Sequence, residues 1–354
     1  MRWCLALLMA AAAVVAAAPR PRAQPAGGVC DITTAERVVA IGDVHGAHDQ
    51  FTAILRAAKL VDSRDRWIGG RAILVQTGDI LDRGDDSRKS LDLLRRLERD
   101  APRDGGRVLP LLGNHEVMRL VDDWRYVSAG EFRGFRNADS VEFRESVQAR
   151  SAAAAADRAR AEGRRFDERQ FREDFLKEIP LGYLEMRLAF APKGEYGAWV
   201  RNRPSVARIN GVVFLHGGIS VDVADLGCTG INDAVRKELQ SLPVPPEQAA
   251  GLLSVRETGP LWYRGLADEP EEKFMASLPL ILKKMNARSI VIGHTVALSR
   301  ITPRFGGRVV QIDTGMLGGK FYPGGQPAAL ELQGDSLTAI YLTRRESLGR
   351  IPTS

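Results

Sequence analysis

The chain has 354 residues, of which 44% are hydrophobic and 27% charged, with a formal net charge of +6. That length and apolar content suit one large domain or two small ones with a sizeable core, and the charged fraction is that of a soluble globular protein. No apolar run of about eighteen residues follows the first twenty, which excludes a later helical membrane span.

Residues 1–26 read as a secretory signal peptide, leaving residues 27–354 as the working domain. Arg2 supplies the positive start, Trp3 to Ala18 the apolar stretch, and small residues with Pro follow. Cleavage fits after Ala16-Ala17-Ala18 or nearer Ala26, and an uncleaved membrane anchor is the rival reading. Loss of Arg2, Arg20 and Arg22 with no acid takes the charge from +6 to +3. This is a weak case for a nucleic-acid partner, and none is expected. Cys4 leaves as well, so Cys30 and Cys228 remain, and the sequence leaves open whether they pair.

The chain then repeats strand, polar loop and helix, the pattern of an α/β domain. Arg37–Ile41 reads as a strand ending in Gly42-Asp43-Val44-His45-Gly46, with a helix over about 49–58. Ala72–Val75 is a second strand, ending in Gly78-Asp79-Ile80-Leu81-Asp82-Arg83-Gly84, before a helix near 87–98. Arg107–Leu112 is a third, closed by Gly113-Asn114-His115-Glu116. Residues 118–204 break this rhythm and read as a helical, cap-like insertion rich in Arg, Glu and Ala. Val212–Leu215 then leads to His216-Gly217-Gly218, and Ser289–Ile292 to Gly293-His294-Thr295. Tail strands over 309–312, 328–332 and 337–342 suggest antiparallel pairing.

Ligands of α/β sheets gather beyond strand carboxyl ends, and five such loops offer Asp43, His45, Asp79, Asn114, His216 and His294. A mixed oxygen and nitrogen set without thiolates suits manganese, iron or zinc. A shared carboxylate lets two cations sit about 3.5–4 Å apart, acidify a bridging water and neutralise phosphate oxygens. What remains is a general acid for the leaving alkoxide and a cation for the phosphoryl oxygens. His115, oriented by Asp82, and Arg83 suit those roles. Four of the five histidines stand at strand ends in Gly-flanked loops, which argues against each being an ordinary core or surface residue. His48 is read as a solvent-facing helix start, Asp49 as a helix cap or first-turn acid, and Glu116 as a structural partner rather than a ligand.

These motifs resemble the signature motifs of the phosphoprotein phosphatases within the calcineurin-like metallophosphoesterases. Asn114-His115-Glu116-Val117-Met118, Trp124-Arg125-Tyr126-Val127, Glu131-Phe132 and Pro260-Leu261-Trp262-Tyr263-Arg264-Gly265 are similar to the Shewanella-like branch. The resemblance implies a four-layer α/β/β/α sandwich with two mixed sheets. It implies two divalent metals, manganese foremost, with iron or zinc as alternatives. Asp43, His45 and Asp79 would hold the first, and Asp79, Asn114, His216 and His294 the second. His115 with Asp82 would donate the proton, and Arg83, Arg264 and Asn114 would meet the phosphate. Recruitment of regulatory subunits is not carried over, because Trp-Tyr-Arg-Gly and a short tail replace the eukaryotic segments.

The expected activity is that of an exported, periplasmic phosphomonoesterase acting on phosphoserine, phosphothreonine or phosphotyrosine proteins or on small phosphoesters. A dinucleoside polyphosphate hydrolase or phosphodiesterase is the alternative with the same chemistry. An inactive binding module is the remote one.

Overall fold

The computed structural model describes residues 26–353, so the leader expected at the N-terminus lies outside the described residues up to Ala26. No helix among the described residues is long and apolar enough to cross a membrane. The first half of the core is β1 (Val38–Ile41), α1 (His48–Ala57), β2 (Ile73–Gln76), α2 (Ser87–Asp100) and β3 (Arg107–Pro110). All four residues of β1 and of β2 are buried, as a parallel strand covered on both faces requires. The inward stripes of the two helices are Phe51, Ile54 and Leu55 on α1, and Leu91, Leu94 and Leu97 on α2. Burying each such side chain contributes about 1.5–3 kcal/mol.

Between β3 and the next strand the only regular elements are helices, joined by loops. They are α3 (Asn114–Leu120), α4 (Ala129–Gly134), α5 (Ser140–Ala161), α6 (Glu168–Glu178), α7 (Tyr183–Phe190) and α8 (Glu195–Val200). The α5–α6 pair keeps a small core of its own, Val147, Phe175 and Ile179. α8 is tied back to α2 by Tyr196, whose hydroxyl donates to Asp92 at 2.7 Å, and by Trp199 Nε1, which donates to Glu98 at 2.9 Å.

The second half runs β4 (Val206–Ile209), β5 (Val212–Leu215), α9 (Val221–Ala224), α10 (Gly227–Ser241), α11 (Pro246–Ala249), α12 (Gly265–Asp268), α13 (Ser277–Lys284) and β6 (Ser289–Ile292). It ends with β7 (Thr302–Arg304), β8 (Val309–Gln311), β9 (Ala328–Gln333), β10 (Ser336–Tyr341) and β11 (Arg345–Arg350). Two mixed sheets result, ordered β11-β10-β9-β1-β2-β3 and β4-β5-β6-β8-β7. Each has a parallel centre: β1, β2 and β3 in one, β5, β6 and β8 in the other. Both sheets and their helices share one hydrophobic core, the expected α/β arrangement.

One expectation for the tail needs correcting. Ala328–Gln333 and Ser336–Tyr341 do pair antiparallel with each other, and the first of them also pairs antiparallel with β1. Val309–Gln311 instead enters the other sheet, parallel to β6 and antiparallel to β7. Its near-continuous apolar sequence suits that two-sided burial, which tight spacing alone does not reveal.

Cys30 and Cys228 form a disulfide across 198 residues, fastening the N-terminal segment to α10. Closing so long a loop restricts the unfolded chain, and such bridges contribute about 2–4 kcal/mol. Urea unfolding of Cys30→Ser/Cys228→Ser should show an unfolding free energy lower by that amount and a correspondingly lower midpoint, and an unchanged free energy would show the bridge to be energetically idle.

Candidate metal centre and active site

The carboxyl ends of the parallel strands in the two sheets face each other. The loop after β1 lies on the loop after β2, with Val44 N and His45 N both donating to the Asp79 carbonyl at 2.9 Å. Within the second sheet, Gly293 N donates to the His216 carbonyl at 2.8 Å, and across the sheets His294 N donates to Asp43 Oδ1 at 3.0 Å. Gly78 allows this crowding: its φ is +95°, and a Cβ there would lie 2.2 Å from Gly113 N. A Cβ on Gly113 would in turn strike Asp79 Oδ1. His45, Asp79, Asp82, Arg83 and His294 all take φ between 47° and 71° without being glycine. Such strain clusters where function requires it.

The side chains so placed converge. Asp43, His45, Asp79, Asn114, His115, His216 and His294 are all at least nine-tenths buried. His45, Asp79 and His115 form one triad, and Asp79, His216 and His294 form another, each with ligand atoms within 4.8 Å of one another. Asp79 belongs to both. Its Oδ2 lies 3.6 Å from His45 Nε2, 3.7 Å from His115 Nε2 and 3.2 Å from His216 Nε2. Asp43 Oδ2 is 3.7 Å from His45 Nε2, and Asn114 Oδ1 is 2.9 Å from His216 Nε2. Backbone carbonyls fix two of the rings, Leu81 O on His45 Nδ1 at 2.9 Å and Thr77 O on His216 Nδ1 at 3.0 Å, leaving each Nε2 free to face Asp79.

The donor set fits divalent cations. His294 Nε2 is buried with no hydrogen-bond partner, an arrangement that costs free energy unless something binds there. Burial and the neighbouring Asp313 push the Asp43 carboxyl well above its ordinary range. Burial pushes Asp79 up too, but His216, His115 and His45 more than reverse it and hold it well below. Burial lowers His216 while Asp79 and Asp43 outweigh it, raising the ring to about 9. Burial, His216 and Arg264 depress His294 to about 2. These are the signs of a cluster of negative and neutral donors that takes protons where it lacks cations.

Beside this cluster His115 Nδ1 meets Asp82 Oδ2 at 2.5 Å. Arg83 lies against His45 Nε2, with the rings of Tyr126 and Tyr322 at 5.6 and 5.7 Å. Arg264 Nη1 donates to the His294 carbonyl and to Thr295 Oγ1, both at 3.0 Å. A groove of about 870 Å³ opens next to Arg83, lined in part by Tyr126, Arg125, Arg133, Lys320 and Phe321. His48 also lines that groove, apart from the buried cluster.

Residues 36–298 match the calcineurin-like phosphoesterase family. The chain belongs to that family. It is 30% identical over 308 residues to Shewanella-like protein phosphatase 2 of Arabidopsis thaliana, covering 85% of this chain and 76% of that one. It is 26% identical over 311 residues to Shewanella-like protein phosphatase 1 of Plasmodium berghei, covering 86% and 74%. The crystal structure of a cold-active protein-tyrosine phosphatase from a psychrophilic Shewanella superposes with a TM-score of 0.66 at 26% identity, covering 90% of this chain and 81% of that one. The protein is a metal-dependent phosphatase of the Shewanella-like kind.

This phosphatase buries three charged residues near the cluster, Asp313, Arg119 and Glu131, of which the sequence motifs include only Glu131 and give it no role. Asp313, two residues past the end of β8 as Asp43 is past β1, lies 1% exposed with Oδ2 unpartnered. Burial raises it to about 6. Its only signal is that position followed by Thr-Gly, with no His or Asn to mark it. Tyr322, half-buried, stacks over His45 at 6.3 Å. Arg119 and Glu131, 3% and 1% exposed, surround Asp82. Glu116 accepts from Asp79 N, Ile80 N and Gly113 N, each at 2.8 Å, which makes it the structural partner expected.

Burial and the adjacent Asp82 raise the Glu131 carboxyl from 4.5 to about 8. Between those values the folded state binds the extra proton, so stability falls as pH rises from about 4.5 through 8 and levels off above. Glu131→Gln should remove that part of the decline. Equal slopes for wild type and variant, in denaturant melts across pH 5–9, would place the Glu131 proton elsewhere.

Proposed function

We propose that this phosphatase is an exported dinuclear-metal phosphomonoesterase acting on phosphorylated proteins. The observation that carries the reading is a pair of buried donor triads sharing Asp79, with the His115–Asp82 pair at their edge. Asp43, His45 and Asp79 would hold one cation, and Asp79, Asn114, His216 and His294 the other. Bound there, two divalent cations would acidify water and neutralise phosphoryl oxygens. Manganese is the first candidate and iron or zinc the alternatives, since oxygen and imidazole donors without thiolate accept all three.

The protein's own groups do the rest. Asp79 and the three histidines set the charge on which the phosphoryl group rests. His115, its Nδ1 held by Asp82, presents Nε2 towards the cluster and protonates the departing oxygen as its bond to phosphorus breaks. Arg83 stands at the mouth of the groove. Arg83 lies against His45 Nε2, and with a cation held at His45 its guanidinium would turn outward to meet a phosphoryl oxygen. Arg264 anchors the His294 loop by one nitrogen and keeps its other donors for substrate.

The rings of Tyr126 and Tyr322 beside Arg83 suit an aromatic phosphoester, phosphotyrosine, as well as phosphoserine or phosphothreonine, and the likeness to the Shewanella protein-tyrosine phosphatase supports that breadth. The adjoining groove has room for the polypeptide on either side of the phosphoresidue. The Cys30–Cys228 disulfide supports export to an oxidising compartment such as the periplasm.

Purified protein with manganese should release phosphate from phosphopeptides and from p-nitrophenyl phosphate, while leaving bis-p-nitrophenyl phosphate and dinucleoside polyphosphates nearly untouched. Preference for those last two would move the assignment to the diesterase or dinucleotide reading. His115→Asn should retain its metal by elemental analysis yet lose about 10²–10⁴ in kcat. Arg264→Ala should lose about 10²–10³ in kcat/KM. Full turnover in His115→Asn would remove its role as acid.

A further inference from the structure

Asp82 is gripped from two positions one turn apart on the same short helix. His115 and Arg119 stand at i and i+4 of α3, on one face. His115 Nδ1 meets Asp82 Oδ2 at 2.5 Å, and Arg119 Nη2 reaches Oδ1 at 2.5 Å and Oδ2 at 2.6 Å. The Arg119 and Asp82 side chains are wholly buried. We propose that Arg119 is a positioning residue for proton donation: it fixes the Asp82 carboxylate so that His115 Nε2 faces the leaving oxygen, and ties that pair to the helical insertion.

Asp82 needs such a hold. It sits at φ 71°, in a loop where Arg83 is also left-handed, and a strained residue keeps its place only when its surroundings over-determine it. Arg119 is itself anchored from the insertion. Its Nη1 donates to the Asp123 carbonyl, and its guanidinium stacks on Trp124 at 4.8 Å. Trp124 in turn packs against Tyr183 at 5.3 Å and Phe132 at 6.3 Å, and carries Arg187 on its ring at 5.5 Å. Only a planar guanidinium serves the carboxylate, the carbonyl and the ring together. A lysine ammonium in its place serves one of them.

The kinetic part of the inference rests on the phosphatase reading, and a spectroscopic arm does not. Phenyl phosphate expels a poor leaving group that needs a proton, whereas p-nitrophenyl phosphate expels a good one. In Arg119→Lys the loss of kcat on phenyl phosphate should exceed the loss on p-nitrophenyl phosphate by about tenfold, within the range of general-acid effects. Arg119→Met is made in the Asp82→Asn background, where the Asp82 carboxylate is not there to be left unpaired. It should add less than about threefold to the loss from Asp82→Asn alone, because residues acting through one another are not additive.

Independently of turnover, proton NMR should show a downfield imidazole N–H resonance in the wild type that is absent from His115→Asn. It should move or broaden in Arg119→Lys. Equal losses on the two substrates, additive losses in the double variant, or an unmoved resonance would each overturn the role. A wild type inactive on both substrates would sink the phosphatase reading and leave the resonance to decide on Arg119.

Discussion

A single buried carboxylate holds the two central loops in register. Glu116 accepts three short hydrogen bonds from backbone N–H groups, two in the loop after β2 and one at the start of α3. Those groups belong to strained or glycine-dependent backbone, with Asp79 left-handed and Gly78 pressed onto Gly113. Burial and Asp79 raise the Glu116 carboxyl, while the three N–H donors oppose them. Without that acceptor the loop donors would be orphaned in the core, each at a cost of about 1–3 kcal/mol. Asp79 would then lose the orientation on which both triads depend.

The same crowding explains why the centre is poised for cations. Asp43, Asp79 and Asp313 are all buried and electrostatically coupled, and like charges at such depth destabilise one another. The histidines relieve part of this, His216 by holding a proton between Asp79 and Asn114. Burial first, and then the neighbouring His and Arg charges, drive His45 and His294 neutral. Protons therefore satisfy the cluster incompletely, and two divalent cations suit it better. Strain, burial and charge coincide at one place because that place binds something.

Most of this centre was legible because its parts are local. Gly-Asp-x-His, Gly-Asp-x-x-Asp-Arg-Gly and Gly-Asn-His-Glu each compress a strand end, a tight turn and a ligand into a few residues, so spacing alone exposes them. Central strands declared themselves by apolar runs, and Val212–Leu215 and Ser289–Ile292 form where the sequence places them. Edge strands β4, β7 and β11 did not, being short or polar; β11 reads Arg-Glu-Ser-Leu-Gly-Arg and takes its form from pairing with β10. Asp313 was hidden for a related reason. Its partners arrive from β1, β2 and β5, so nothing adjacent in the chain marks it. Arg119 was read as a member of a charged helical segment and Glu131 as part of a branch motif without a role, and only the fold turns them inward towards Asp82.

That inward turn changes what the insertion is for. A charged helical stretch is most simply a solvated surface, and much of α5 and α6 is that, closing on its own small core. The segment from Arg119 to Ser128 behaves differently. Tyr126 hands its carbonyl to Arg83 N at 2.9 Å and brings its ring within 5.2 Å of His115, while Ser128 Oγ donates to Asp85 at 2.6 Å. Arg119 reaches Asp82 from the same stretch. The insertion therefore supplies one wall of the groove and braces the His115–Asp82 pair, so in the proposed chemistry changes in its sequence would act on substrate choice and on leaving-group protonation together. Metal binding, built from loops of the two sheets, is comparatively insulated from it.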